Sequence, residues 1–255
     1  VRREVALGVP SLALVAVGGL WAQAQRAANA PLPHYGDLDP TGRYGPEPDE
    51  GTRPLSITVL GDSSLTGPGL FHGSQVWIAR IAQRLDRPVT VRSHARGGAR
   101  VRAVLDHQLP RATAAPTDLF VVSVGANDAV HATTSRSFRR DLAELVDRLR
   151  IEAPVVCLGV GDMSMIPRIP TTLRPLLAGR CRAIDRAHSE VCRPRDDVHR
   201  IPVADVSDPH FRAGGIGLFA GDLFHPNAAG HALWAELFEP WIRRALPLHV
   251  HPVRA

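Results

Sequence analysis

The sequence predicts a three-layer α/β/α sandwich built on a flavodoxin-like, doubly wound parallel sheet of five strands. Two observations carry this. From Leu55 onward, short runs of β-branched residues alternate with longer stretches of helical period, the pattern of successive βαβ units. The 255 residues are 44% hydrophobic, enough for one core, and no repeat of about 20–50 residues points to a solenoid. The strands are expected at Leu55–Leu60, Val89–Ser93, Leu119–Val124, Val155–Gly159 and Ile201–Val203. The helices between and after them fall at Gln75–Leu85, Val101–Leu109, Phe138–Leu149, Leu173–Val191 and Ala228–Leu246. Strand order is assigned by analogy with doubly wound sheets.

Residues 1–54 precede this pattern. Arg2 and Arg3, the apolar stretch Val5–Leu20 and the small residues of Ala22-Gln23-Ala24 have the layout of an export signal. The stretch is also nearly long enough to span a bilayer with its arginines inside. Residues 1–28 are therefore read as a signal peptide or a membrane anchor, and the remainder as extracytoplasmic, either secreted or held at the membrane. Residues 29–54, rich in Pro, Gly and Asp, read as a linker, and 55–248 as the folded domain.

Composition excludes other classes. The net charge of +5 rests on thirty arginines with no lysine, the mark of coding bias. The arginines are scattered and lack interleaved aromatics, which argues against a nucleic-acid partner. Arg96, Arg100 and Arg102 belong to the same background. Cys157, Cys181 and Cys192 allow at most one disulfide and show no zinc spacing, so neither a metal nor a cofactor is expected. If Cys181 and Cys192 share a helix, its rise separates them too far to bond.

Ligands of open parallel sheets bind beyond the carboxyl ends of the strands, and the residues there are unusual. Gly61-Asp62-Ser63-Ser64 follows the first strand, Gly97-Gly98 the second and Gly125-Ala126-Asn127-Asp128 the third, while Asp222-Leu223-Phe224-His225 precedes the final helix. Acyl transfer needs these types. A serine hydroxyl requires a base to take its proton, imidazole serves at neutral pH, and a carboxylate on the other ring nitrogen fixes the tautomer. Ser63, His225 and Asp222 fit those roles. The amides of Ser63 and Gly98 and the side chain of Asn127 are candidate donors to an oxyanion. Ser64 is the alternative nucleophile, and Asp62 and Asp128 are read as loop-holding hydrogen bonders.

With these motifs in this order, the stretch Leu55–Leu246 resembles the SGNH or GDSL hydrolase family. The likeness rests on Gly61-Asp62-Ser63, Gly98, Gly125-Ala126-Asn127-Asp128 and Asp222-Leu223-Phe224-His225-Pro226. Ser64 departs from the family's leucine and Ser93 from a frequent asparagine, neither at a triad or oxyanion position. The resemblance implies a Ser63–His225–Asp222 triad and an oxyanion hole of Ser63, Gly98 and Asn127. The GxSxG elbow of other hydrolases is absent. The expected substrate is a small-molecule, lipid or glycan ester. His131 and the methionines Met163 and Met165 are candidate substrate contacts, the latter two for an acyl chain. His72 and His94 read as loop residues. An acyltransferase with the same triad, or a silent binding module for glycan or lipid, would share these motifs.

Overall fold

The computed structural model describes residues 29–131 and 133–246, together with Gly18, Gly19, Ala22, Gln23, Gln25 and Arg26. Most of the apolar stretch Val5–Leu20 lies outside the described residues. Among the described residues, no helix is long and apolar enough to cross a membrane.

The strands are β1 (Gly42–Tyr44), β2 (Leu55–Gly61), β3 (Val89–Ser93), β4 (Leu119–Ser123), β5 (Val155–Leu158) and β6 (Val198–Ile201), in the spatial order β1-β3-β2-β4-β5-β6. β2 to β6 are mutually parallel and β1 runs antiparallel to β3. With β1 set aside, the parallel strands follow the flavodoxin-like 2-1-3-4-5 order. β2 is buried along its whole length, as a central strand covered on both faces must be. Leu55, Ile57 and Val59 join Trp77, Ile78, Ile81, Phe238 and Ile242 on one face. Leu60 joins Phe120, Val122, Phe138, Leu142 and Ile184 on the other.

The helices flanking the sheet are α1 (Trp77–Arg84), α2 (Val101–Ala103), α3 (Leu109–Ala112), α4 (Ala126–Val130), α5 (Ser135–Leu149), α6 (Arg174–Cys192), α7 (Val203–Val206), α8 (Asp208–Gly214) and α9 (Ala228–Ala245). A π-helical turn, Val104–Gln108, joins α2 to α3. All three thiols are free and buried, with Cys181 and Cys192 both on α6.

Three expectations are corrected. The sheet has six strands, because residues 42–44 pair with β3 in the register Gly42 to Val91 and Tyr44 to Val89. The presumed linker thus carries an edge strand. The last strand is Val198–Ile201, earlier than Ile201–Val203, because Pro202 lacks the N–H needed to continue a ladder and Val203 already opens a helix. The short helices α4, α7 and α8 were not anticipated.

Gly61 closes β2 at φ +148°, and an added Cβ there would run into the Ser123 carbonyl. Gly61→Ala is therefore expected to lower stability by at least about 3 kcal/mol, from strain plus overlap, measured as a fall in the urea midpoint.

Candidate active site

Four loops meet at the carboxyl edge of the sheet. After β2 the chain turns sharply: the Asp62 amide donates to the Ser123 carbonyl at 3.0 Å, and Asp62 Oδ1 accepts from the Ser64 amide at 3.0 Å. This cap opens a 3-10 turn, Ser63–Leu65, with Ser63 as its first residue. The amides of Thr66 and Gly67 both donate to the Ser63 carbonyl, at 3.2 and 3.1 Å. The Ser64 hydroxyl is engaged by a different partner, 2.6 Å from that of Ser123. Gln108, reached from the π turn, pairs with both backbone groups of Gly61: its Oε1 accepts from the amide at 2.8 Å and its Nε2 donates to the carbonyl at 2.9 Å. A buried side chain thus completes the strand end that carries the serine turn, and π turns recur at such functional positions.

The second piece is the turn before α9. Asp222 is 4% exposed. Its Oδ2 lies 2.6 Å from His225 Nδ1, and its Oδ1 accepts from the amides of Phe224 and His225 at 2.9 and 3.0 Å. Leu223 takes φ +58°, the sole non-glycine positive φ among the described residues. That conformation is costly for a branched side chain, and it folds the chain back so that one carboxylate can serve the amides of Phe224 and His225 and the ring. Burial pushes the Asp222 carboxyl up, but the bond from the His225 ring and those from the two amides outweigh it and hold the group below its ordinary range. It is a carboxylate at neutral pH.

Between these pieces lies a cavity of about 140 Å³, walled by Ser63, Ser64, Asn127, His225, Met163, Met165, Ile166, Phe211, Phe219, Phe224 and Trp234 among others. Ser63, His225, Asn127 and the two methionines are therefore brought together. Asn127 Nδ2 donates to the Ala99 carbonyl at 3.2 Å and lies 3.5 Å from Asp62 Oδ2, which ties the asparagine to the Gly97-Gly98 turn. Gly98 sits on that turn at φ +75° with open space where a Cβ would stand, outside the cavity walls. His131 also stays outside them, its Nδ1 2.9 Å from the Asn127 carbonyl.

Asp62 and Asp128 are buried hydrogen bonders, as expected. Asp128 Oδ2 accepts from the Val101 amide at 3.0 Å. Burial pushes Asp62 up to about 6, against the pull of the Ser64 amide, and burial likewise raises Asp208 in the cavity wall to about 6. Sequence reasoning missed Gln108, Asp208 and the aromatic walls. Among the described residues, Cys157, His188 and Cys192 also bring possible ligand atoms within 4.8 Å of one another, in the core and apart from the cleft.

Raised carboxyls have a consequence for stability. Below about pH 4 both the folded and the unfolded chain hold these protons; between about 4 and 6 only the folded chain does, so stability falls as pH rises through that window. Asp208→Asn is expected to flatten part of this slope by about 1–3 kcal/mol, read from urea midpoints at pH 4 and pH 7.

Residues 59–233 match the GDSL-like Lipase/Acylhydrolase family. The chain is 30% identical over 212 residues to the GDSL-like esterase Rv1075c of Mycobacterium tuberculosis, covering 78% of this chain and 67% of that one. Its fold is similar to a lipolytic G-D-S-L family protein from Veillonella parvula, with a TM-score of 0.63, 18% identity, and coverage of 74% of this chain and 99% of that one. It is also similar to the psychrotrophic esterase EstA from Pseudoalteromonas, with a TM-score of 0.56, 16% identity, and coverage of 74% and 97%. The chain therefore belongs to the GDSL-like lipase/acylhydrolase family and is an enzyme of the SGNH hydrolase kind.

Proposed function

We infer that the chain is a serine-dependent carboxylic ester hydrolase acting through Ser63, His225 and Asp222. The observation that carries this is the 2.6 Å pairing of Asp222 with His225 Nδ1 in a turn whose imidazole shares one cavity with Ser63. With Nδ1 engaged by the carboxylate, Nε2 is the nitrogen left to take the Ser63 proton. Ser63 Oγ attacks the ester carbonyl as His225 accepts its proton. The amides of Ser63 and Gly98 and the Asn127 side chain receive the oxyanion. The intermediate expels the alcohol, which takes the proton from His225, and leaves an acyl-enzyme. Water, deprotonated by His225, then releases the acid and restores Ser63.

The apolar walls from Met163 to Trp234 suit the acyl group of the ester, and the cavity of about 140 Å³ is close in size to an apolar cavity of about 150 Å³ that binds benzene. The substrates proposed are short-chain esters or acyl esters of the cell envelope, met outside the cytoplasm by a chain exported or anchored through residues 1–28. The test is hydrolysis of p-nitrophenyl esters from acetyl to palmitoyl. Turnover highest on the shorter chains supports the reading. A folded protein that hydrolyses none of them would refute it.

Asn127→Ala is expected to lower kcat by about 10²–10³-fold, the effect of losing one oxyanion donor, with a small change in KM in the same assay.

A further inference from the structure

Residues 33–44, expected as a spacer, touch three of the four site loops. Asp37 is the centre of this contact. Its Oδ2 accepts from the Gly97 amide at 2.9 Å and its Oδ1 from the Thr66 hydroxyl at 2.7 Å. The next residue, Leu38, donates its amide to the Thr66 carbonyl at 2.8 Å. Thr66 is 1% exposed and closes the serine turn through its bond to the Ser63 carbonyl. A Cβ on Gly97 would stand 2.5 Å from Asp37 Oδ1, so the carboxylate packs directly on that glycine. At the third loop, a Cβ on Gly221, beside Asp222, would stand 2.9 Å from the Tyr35 hydroxyl. β1 then pins the far end of the segment to the sheet.

We propose that Asp37 is a positioning residue, which bridges the Ser63 turn and the Gly97-Gly98 turn so that the Ser63 and Gly98 amides address one oxyanion. This rests on the oxyanion-hole assignment made under Proposed function. Two adjacent glycines leave a backbone with wide conformational freedom, whereas an oxyanion hole acts by donors already fixed before charge develops. A charge-assisted bond to the first glycine's amide supplies that fixation. Asp37 is not among the cavity walls, so its loss acts on transition-state stabilisation more than on substrate binding, and kcat falls while KM holds.

The test uses the full chain with Asp37→Ala, Asp37→Asn and Thr66→Val, in p-nitrophenyl ester hydrolysis and in amide hydrogen exchange at Gly97. Asp37→Ala is expected to lower kcat by about 10–100-fold, the cost of a misplaced catalytic group, with KM within about twofold. Asp37→Asn restores most of the rate, because its amide oxygen can accept from Gly97 and its nitrogen can donate to Thr66 Oγ1. Thr66→Val, which removes the other end of the bridge, lowers kcat in the same direction, and the Gly97 amide is protected in the wild type and exchanges faster in Asp37→Ala. The proposal is overturned by a wild-type kcat in Asp37→Ala, by a loss confined to KM, by a loss that Asn does not relieve, or by a Gly97 amide as unprotected in the wild type as in the variant. A wild type that Ser63→Ala silences but Asp37→Ala leaves untouched would refute the positioning role alone. The exchange measurement judges the bridge even if no ester is turned over.

Discussion

Ser63→Ala is expected to lower ester hydrolysis by about 10⁴-fold or more, with the residual rate coming from binding and the oxyanion donors. The fold should not change. The serine turn is held by the Asp62 cap on the Ser64 amide, by the Thr66 and Gly67 amides on the Ser63 carbonyl, and by Gln108 on Gly61, none of which involves Ser63 Oγ. Ser64→Ala is the informative companion. It removes the 2.6 Å contact with Ser123 and is expected to cost about 1 kcal/mol of stability while leaving most of the activity. If the two variants exchanged phenotypes, with Ser64→Ala inactive and Ser63→Ala active, the assignment of the nucleophile would be wrong. Steady-state kinetics beside a thermal melt separates the two cases.

The second large effect is expected at Asp222. Asp222→Asn can keep its acceptor for the Phe224 and His225 amides but turns an amide N–H toward Nδ1, which favours the opposite tautomer and leaves Nε2 protonated. The expected loss is about 10⁴-fold in kcat with a folded protein. Because the wild-type carboxyl is held below its ordinary range, it stays ionised down to mildly acid pH, and its protonation does not limit the enzyme near neutrality. A kcat for Asp222→Asn within about tenfold of wild type would show that the imidazole is oriented by something else.

Four of the five parallel strands were legible because they are dense β-branched runs, and the long helices have a clear period; Val198–Ile201, interrupted by His199 and Arg200, was misplaced. α5, expected at Phe138–Leu149, is observed at Ser135–Leu149, and α9, expected at Ala228–Leu246, ends at Ala245. β1 was not legible, since three residues in a Pro/Gly-rich stretch carry no alternation and pair on one side only. The cavity walls were hidden for a related reason. Phe211 sits on the seven-residue α8, too short for a period to appear, and packs on Phe219 and Trp234 from other segments. Asp222 and His225 were legible from their spacing, whereas the positive φ of Leu223 that lets the pair close is invisible in the letters. Gln108 and Asp37 act through contacts 47 and 60 residues away in the chain, and local pattern carries no trace of such pairings.

Activation of Ser63 by His225 is what the proposed ester hydrolysis depends on most. The most direct measurement is covalent labelling of the folded chain by an activated alkyl phosphonate, with the modified residue located by fragment-ion mass spectrometry. One adduct is expected, on Ser63 rather than on Ser64, lost in Ser63→Ala and greatly slowed in His225→Ala. An adduct on another residue, or labelling of Ser63 at the same rate without His225, would contradict it.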